Sequence, residues 1–165
     1  MKNKSINILI VSFLLLGIMA ATLIAFVDAS HDTFQDSVTV NASGITEQTM
    51  TVRELALNPT ESREYEVKLK CDVTGLFRIS LDHDEKKNGG MKAFVLVTVR
   101  CNGVETYSGT LAQLLDTGTI IDFESELHAK EPLLLIICYE MPYDVGNEAQ
   151  GTYSDFDIHL KIEKI

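Results

Sequence analysis

Residues 141–164, MPYDVGNEAQGTYSDFDIHLKIEK, join a dense block of turn residues to an almost strictly alternating strand. Pro142, Gly146, Asn147 and Gly151 supply the fixed and positive φ values that a reversing chain needs. Beyond them Phe156, Ile158, Leu160 and Ile162 fall on one face, with Asp155, Asp157, His159, Lys161 and Glu163 on the other. A period of two with one apolar face is the pattern of a half-buried antiparallel strand. It makes all-β the fold class against which the rest of the chain is read.

Upstream, short apolar runs alternate with turn clusters at the spacing of a sandwich or barrel. Strands are predicted at 36–40, 49–57, 64–71, 76–81, 92–101, 104–107, 119–123, 132–140 and 153–164. Asn58-Pro59 and Asn102-Gly103 are turn signals, the second suited to a tight hairpin. The polar run DHDEKKNGG at 82–90 reads as a loop. Thr110, Leu111, Leu114 and Leu115 have helical spacing, with Ser108 or Thr110 to cap the start and Gly118 to stop it. One short helix is therefore expected over one end of the sheets. LLLIIC at 133–138 is continuously apolar and reads as a strand buried on both faces, which favours two packed sheets.

At the other end, Lys2 and Lys4 precede an apolar run at 6–27, followed by Val27-Asp28-Ala29 before Ser30. A basic start, a long apolar stretch and a small-residue exit match secretory signal grammar, with cleavage expected between Ala29 and Ser30. The run is also long enough, at roughly 20 residues, to stay as an uncleaved membrane anchor. Both readings put the following domain, residues 30–165, outside the cytoplasm, with the membrane touched only through the amino-terminal segment. Cleavage would leave 136 of the 165 residues, the usual size of one domain, and shift the net charge from −10 to −11. That acidity argues against nucleic acid or an anionic membrane surface as partner.

Cys71 and Cys101 each end an alternating apolar series and so point to the core, and Cys138 makes the count odd. Buried free thiols are one reading. A disulfide between Cys71 and Cys101 on neighbouring strands is the other, and an oxidising destination permits it.

Three segments resemble the TasA and camelysin family, secreted proteins released by the SipW type of signal peptidase. They are Gly146-Asn147-Glu148-Ala149-Gln150-Gly151 with the final strand, Val104 through Leu111 followed by Leu114-Leu115, and Leu57-Asn58-Pro59 before the strand at 64–71, with Thr60 where the family usually has Gly. The resemblance implies a two-sheet jelly-roll sandwich and export by a signal peptidase to the surface or matrix of a bacterium. For some members it implies homopolymeric fibres, or fibres shared with related matrix subunits, that scaffold a biofilm. In those members a neighbour's amino-terminal strand completes each subunit. The matching segment here, within an extended stretch at 30–49, carries Phe34, Asp36, Val38 and Val40 in alternation. A strand of that kind satisfies an open sheet edge, its own or a neighbour's.

The resemblance also raises metallopeptidase activity, since camelysin-like proteins carry that description. His31, His83, His128 and His159 show no H-E-x-x-H, so two imidazoles one helical turn apart beside a glutamate are missing. Asp82-His83-Asp84-Glu85 is the one dense run of oxygen and nitrogen ligands, without the register of an EF-hand. No G-x-S-x-G elbow occurs, and Asp155 with Asp157 on the last strand, which could mimic a carboxylate dyad, reads instead as a solubilising pair that protects an edge strand. The expectation is a structural subunit without active site, cofactor or metal. A metallopeptidase and a membrane-tethered adhesin are the alternatives.

Overall fold

A computed structural model describes residues 31–40 and 45–165. Nine strands occur among them: β1 His31–Val40, β2 Ile45–Leu55, β3 Ser62–Cys71, β4 Gly75–Gly89, β5 Leu96–Cys101, β6 Val104–Thr110, β7 Ile121–Leu127, β8 Leu133–Glu140 and β9 Tyr153–Lys164. One helix, α1 Leu111–Thr117, and 3₁₀ turns at Met91–Ala93 and Asn147–Ala149 complete the set. Asp32–Ile165 forms one compact unit. The segment predicted as signal or anchor, including Ala29 and Ser30, lies outside the described residues.

The strands form two sheets, ordered β1-β3-β8-β5-β6 and β2-β9-β4-β7. Take β2 to β9 as eight consecutive strands. Renumbered one to eight, they lie in the orders 1-8-3-6 and 2-7-4-5, those of the two sheets of a jelly roll, and the expected two-sheet sandwich is the fold. β1 is a ninth strand outside that set, at the β3 edge.

Alternation builds the core. β9 presents Phe156, Ile158, Leu160 and Ile162 inward, β4 adds Phe77, Ile79 and Leu81, and β8 adds Leu133, Leu135, Ile137 and Tyr139. Each large apolar side chain so buried contributes about 1.5–3 kcal/mol. At the β5–β6 hairpin Asn102 and Gly103 have φ of 47° and 81°, the two left-handed positions of a type I′ turn. Thr110 caps α1: its Oγ1 accepts from Gln113 N at 3.2 Å while Gln113 Oε1 accepts from Thr110 N at 2.8 Å. Leu111 and Leu114 anchor the helix, which packs against β4, β6 and the turn at Met91–Ala93.

Four expectations need correction. The polar run at 82–90 is strand, not loop: Asp82 pairs with His159 and the ladder continues to Gly89 opposite Tyr153, with a bulge between Glu85 and Lys87. Twelve residues of β9 demand an equally long partner, and the hydrophobicity of β4 fades before its hydrogen bonding does. The segment at 92–95 belongs to a 3₁₀ turn and its exit, so β5 starts at Leu96. β8 alternates between buried and half-buried residues, leaving Leu134, Ile136 and Cys138 on an outer face that α1 does not cover. And β9 is central rather than an edge, so Asp155 and Asp157 do not guard an open edge. Asp155 accepts from Glu54 N at 2.7 Å, and Asp157 from Thr51 Oγ1 at 2.8 Å.

Candidate functional site

The two turns that sequence reading singled out at opposite ends of the chain meet in space. Leu57, Asn58 and Pro59, between β2 and β3, and Val145, Asn147, Ala149 and Gln150, between β8 and β9, line one cavity of about 230 Å³. Its polar rim is committed internally. Asn58 donates through N and Nδ2 to Glu61, both at 2.8 Å, and Gln150 Nε2 donates to Asn147 Oδ1 at 3.1 Å. Leu57 and Ala149 are buried beneath it. Gly146, Asn147, Glu148, Gln150 and Gly151 are all exposed, so the turn is anchored by buried Ala149 and its Gln150 side-chain amide is spent on its own fold. Beside it Thr60 has φ of 73° and donates its N–H to Met141 O at 2.9 Å. That left-handed conformation is one a glycine adopts without steric cost.

The four histidines do not converge. His31 lies in β1, His128 is exposed in the turn after β7, His83 is buried, and His159 stands on the outer face of β9. Strand geometry also splits the ligand-rich run: Asp82 and Asp84 share one face of β4, and His83 and Glu85 the other. Among the described residues no group of three or more His, Cys, Asp or Glu side chains is placed to hold a metal ion.

The cysteines are thiols. Cys71 Sγ donates to Val73 O at 2.9 Å, and Cys101 Sγ to Ser125 Oγ at 3.8 Å. The disulfide expected between Cys71 and Cys101 does not fit this fold, because β3 and β5 flank β8 instead of neighbouring each other. Two inter-strand spacings, about 10 Å, exceed the reach of a disulfide. Burial raises the Cys101 thiol, and burial together with Glu64 and Glu140 lifts Cys138 to about 11.

What sequence reading missed is a polar node inside the sandwich. His83 is buried, with Nε2 3.0 Å from Tyr139 Oη and Nδ1 without a partner. Its ring lies 5.8 Å from that of Phe156, and Tyr65 meets Tyr139 edge-on at 5.7 Å. Burial, with a smaller contribution from nearby His159, lowers the imidazole to about 4, and burial first of all raises Tyr139 well above the ordinary phenol value. Both are neutral at pH 7. The available signal was the length of β9: extending its ladder through 82–89 turns His83 inward.

A second feature lies on the opposite side of the same sheet. Thr49, Ser80, Asp82, Ile120, Asp122, His159 and Lys161 line an open depression of about 550 Å³.

No family model matches the chain, and no curated protein is significantly similar to it. Solved structures with related shapes include the CUB1-EGF-CUB2 domains of rat MASP-1, at 6% identity and TM-score 0.40, covering 79% of this chain and 42% of that one. Another is the periplasmic g-type lysozyme inhibitor PliG of Aeromonas hydrophila, at 11% identity and TM-score 0.39, covering 81% and 98%. A third is the pre-peptidase C-terminal domain of a Bacillus anthracis collagenase, at 10% identity and TM-score 0.37, covering 82% and 99%. The topology given above rests on the strand pairings themselves.

Proposed function

We propose that this chain is an exported structural subunit of the cell surface or extracellular matrix, of the TasA and camelysin kind. It assembles with copies of itself or with related matrix subunits through its amino-terminal strand. The position of β1 carries the reading. β2 to β9 complete the jelly-roll order alone, and β1 is supernumerary at the β3 edge. Without it, β3 presents a row of unpaired N–H and C=O groups that the same segment of a second copy can satisfy. β1 includes the predicted donor positions Phe34, Asp36, Val38 and Val40.

In this reading a signal peptidase frees the segment by cleavage between Ala29 and Ser30, and the domain has no active site or cofactor of its own. A membrane-held amino end could not reach a neighbour's edge freely. The test is electron microscopy of the purified chain starting at Ser30, with and without residues 30–40. Fibres that require residues 30–40 are the expected result. A chain that stays monomeric at high concentration sinks the reading, and fibres unchanged by the truncation exclude this segment as donor. Stoichiometric zinc with chelator-sensitive proteolysis would replace it with the peptidase.

A further inference from the structure

The outer face of the β2-β9-β4-β7 sheet divides into two halves. Toward the β4 bulge its polar groups satisfy one another: Asp155 holds Glu54 N, Asp157 holds Thr51 and pairs with Lys86 at 3.3 Å, and Lys86 also pairs with Asp84. Toward the other end two cross-strand rows meet. In one, Glu47 stands opposite Lys161, Lys161 opposite Ser80, and Ser80 opposite Asp122. In the next, Thr49 stands opposite His159 and His159 opposite Asp82. Together with Ile120 at the rim they line the depression of about 550 Å³, which spans three inter-strand spacings or about 14 Å.

Hydrogen-bonding capacity is left over in this half. His159 spends Nδ1 on Thr49 Oγ1 at 2.9 Å, and its Nε2 has no partner among the described residues. Asp82 commits Oδ1 to His83 N at 2.9 Å and keeps Oδ2. Among the described residues Lys161 pairs only with exposed Glu163 at 3.4 Å, a contact that holds little of its donor capacity. Ile120, 56% exposed, supplies an apolar wall.

Interspersed acceptors and donors beside an apolar surface suit a ligand with many hydroxyls on a ring whose faces carry C–H groups. Carboxylates accept from hydroxyls, while imidazole and ammonium donate to them. Glu47, Asp82 and Asp122 stand against Lys161 and Arg78, whose guanidinium lies 3.8 Å from Asp122, and this net negative balance disfavours a polyanion. The volume is that of a ligand site of several rings rather than of one small solute. We infer that this depression binds a neutral oligosaccharide. The inference does not rest on strand exchange, because β1 belongs to the other sheet.

Isothermal titration calorimetry of the full chain tests it, with cellohexaose, chitohexaose and maltohexaose as neutral probes and polygalacturonate as the polyanion. At least one neutral probe is expected to bind saturably, with affinity falling about ten-fold or more in Asp82→Asn and in His159→Gln, the loss of roughly one hydrogen bond to a charged or strongly polar group. Glu105→Gln, on the other sheet, keeps the affinity. Thermal midpoints measured alongside separate lost binding from lost fold. Absence of saturable heat with all three neutral probes, affinities unmoved by both substitutions, or binding of polygalacturonate alone would each overturn the assignment.

Discussion

The Nε2 of His83 on β4 lies 3.0 Å from the hydroxyl of Tyr139 on β8, so one hydrogen bond joins the two sheets through the core. In low dielectric such a bond is strong, and either partner alone is costly. Phe156, 5.4 Å from Tyr139 and 5.8 Å from His83 between ring centroids, shields the pair from water.

Removing the hydroxyl should therefore expose the cost of an orphaned ring. Tyr139→Phe leaves both His83 nitrogens without partners and is expected to destabilise the fold by about 1–3 kcal/mol. His83→Leu combined with Tyr139→Phe should cost less than the two single changes summed, with a coupling of about 1 kcal/mol. Urea unfolding midpoints at constant slope measure this. Strict additivity would mean that the pair contributes nothing.

The same imidazole predicts an acid response. Its value falls from 6.5 in the open chain to about 4 in the fold, so between those values the unfolded state binds the extra proton. Stability contributed by the neutral ring is intact above pH 6.5, declines as pH falls toward 4, and changes no further below that. The total is about 3 kcal/mol. The difference between the pH–stability profiles of the wild type and His83→Phe isolates this effect from other titrating groups. A flat difference between pH 4 and 6.5 would contradict it.

Thr60 holds a left-handed φ of 73° that a β-branched residue adopts at a cost. Thr60→Gly is expected to raise stability by about 1 kcal/mol, the relief of strain exceeding the entropy lost. Calorimetric melting reads the change. A lowered midpoint would show that the threonine side chain offsets its own strain.

Three thiols and no bridge give a chemical prediction. Denatured without reductant, the chain should take up three alkylating groups by mass. In the native state at pH 8 modification should be slow throughout, because Cys71 and Cys101 are buried and Cys138 is raised to about 11. Two groups missing from the denatured mass would restore a disulfide.

The alternation of Phe156, Ile158, Leu160 and Ile162 was enough to place β9, because a period of two with one apolar face has a single structural reading. The caps of α1 and the Asn102-Gly103 hairpin were legible for the same local reason: each depends on residues within one turn of the chain. Residues 82–89 misled because their polarity mimics a loop, and only pairing with β9 makes them strand. His83 and Tyr139, 56 positions apart in sequence, share no local signal at all.

Local chemistry thus determined the class of the chain: alternation sets faces, turn residues set reversals, and together they specify an all-β sandwich. Which strands lie side by side was decided only in three dimensions. Sheet order placed β8 between β3 and β5 and so separated Cys71 from Cys101. It brought Leu57-Asn58-Pro59 against the turn from Gly146 to Gly151, and it arranged Asp82, Asp122, His159 and Lys161 around one depression. Long-range strand pairing is a choice among many hydrogen-bonded registers of similar local energy. It is settled by burial of the whole core, a quantity that no short stretch of sequence contains.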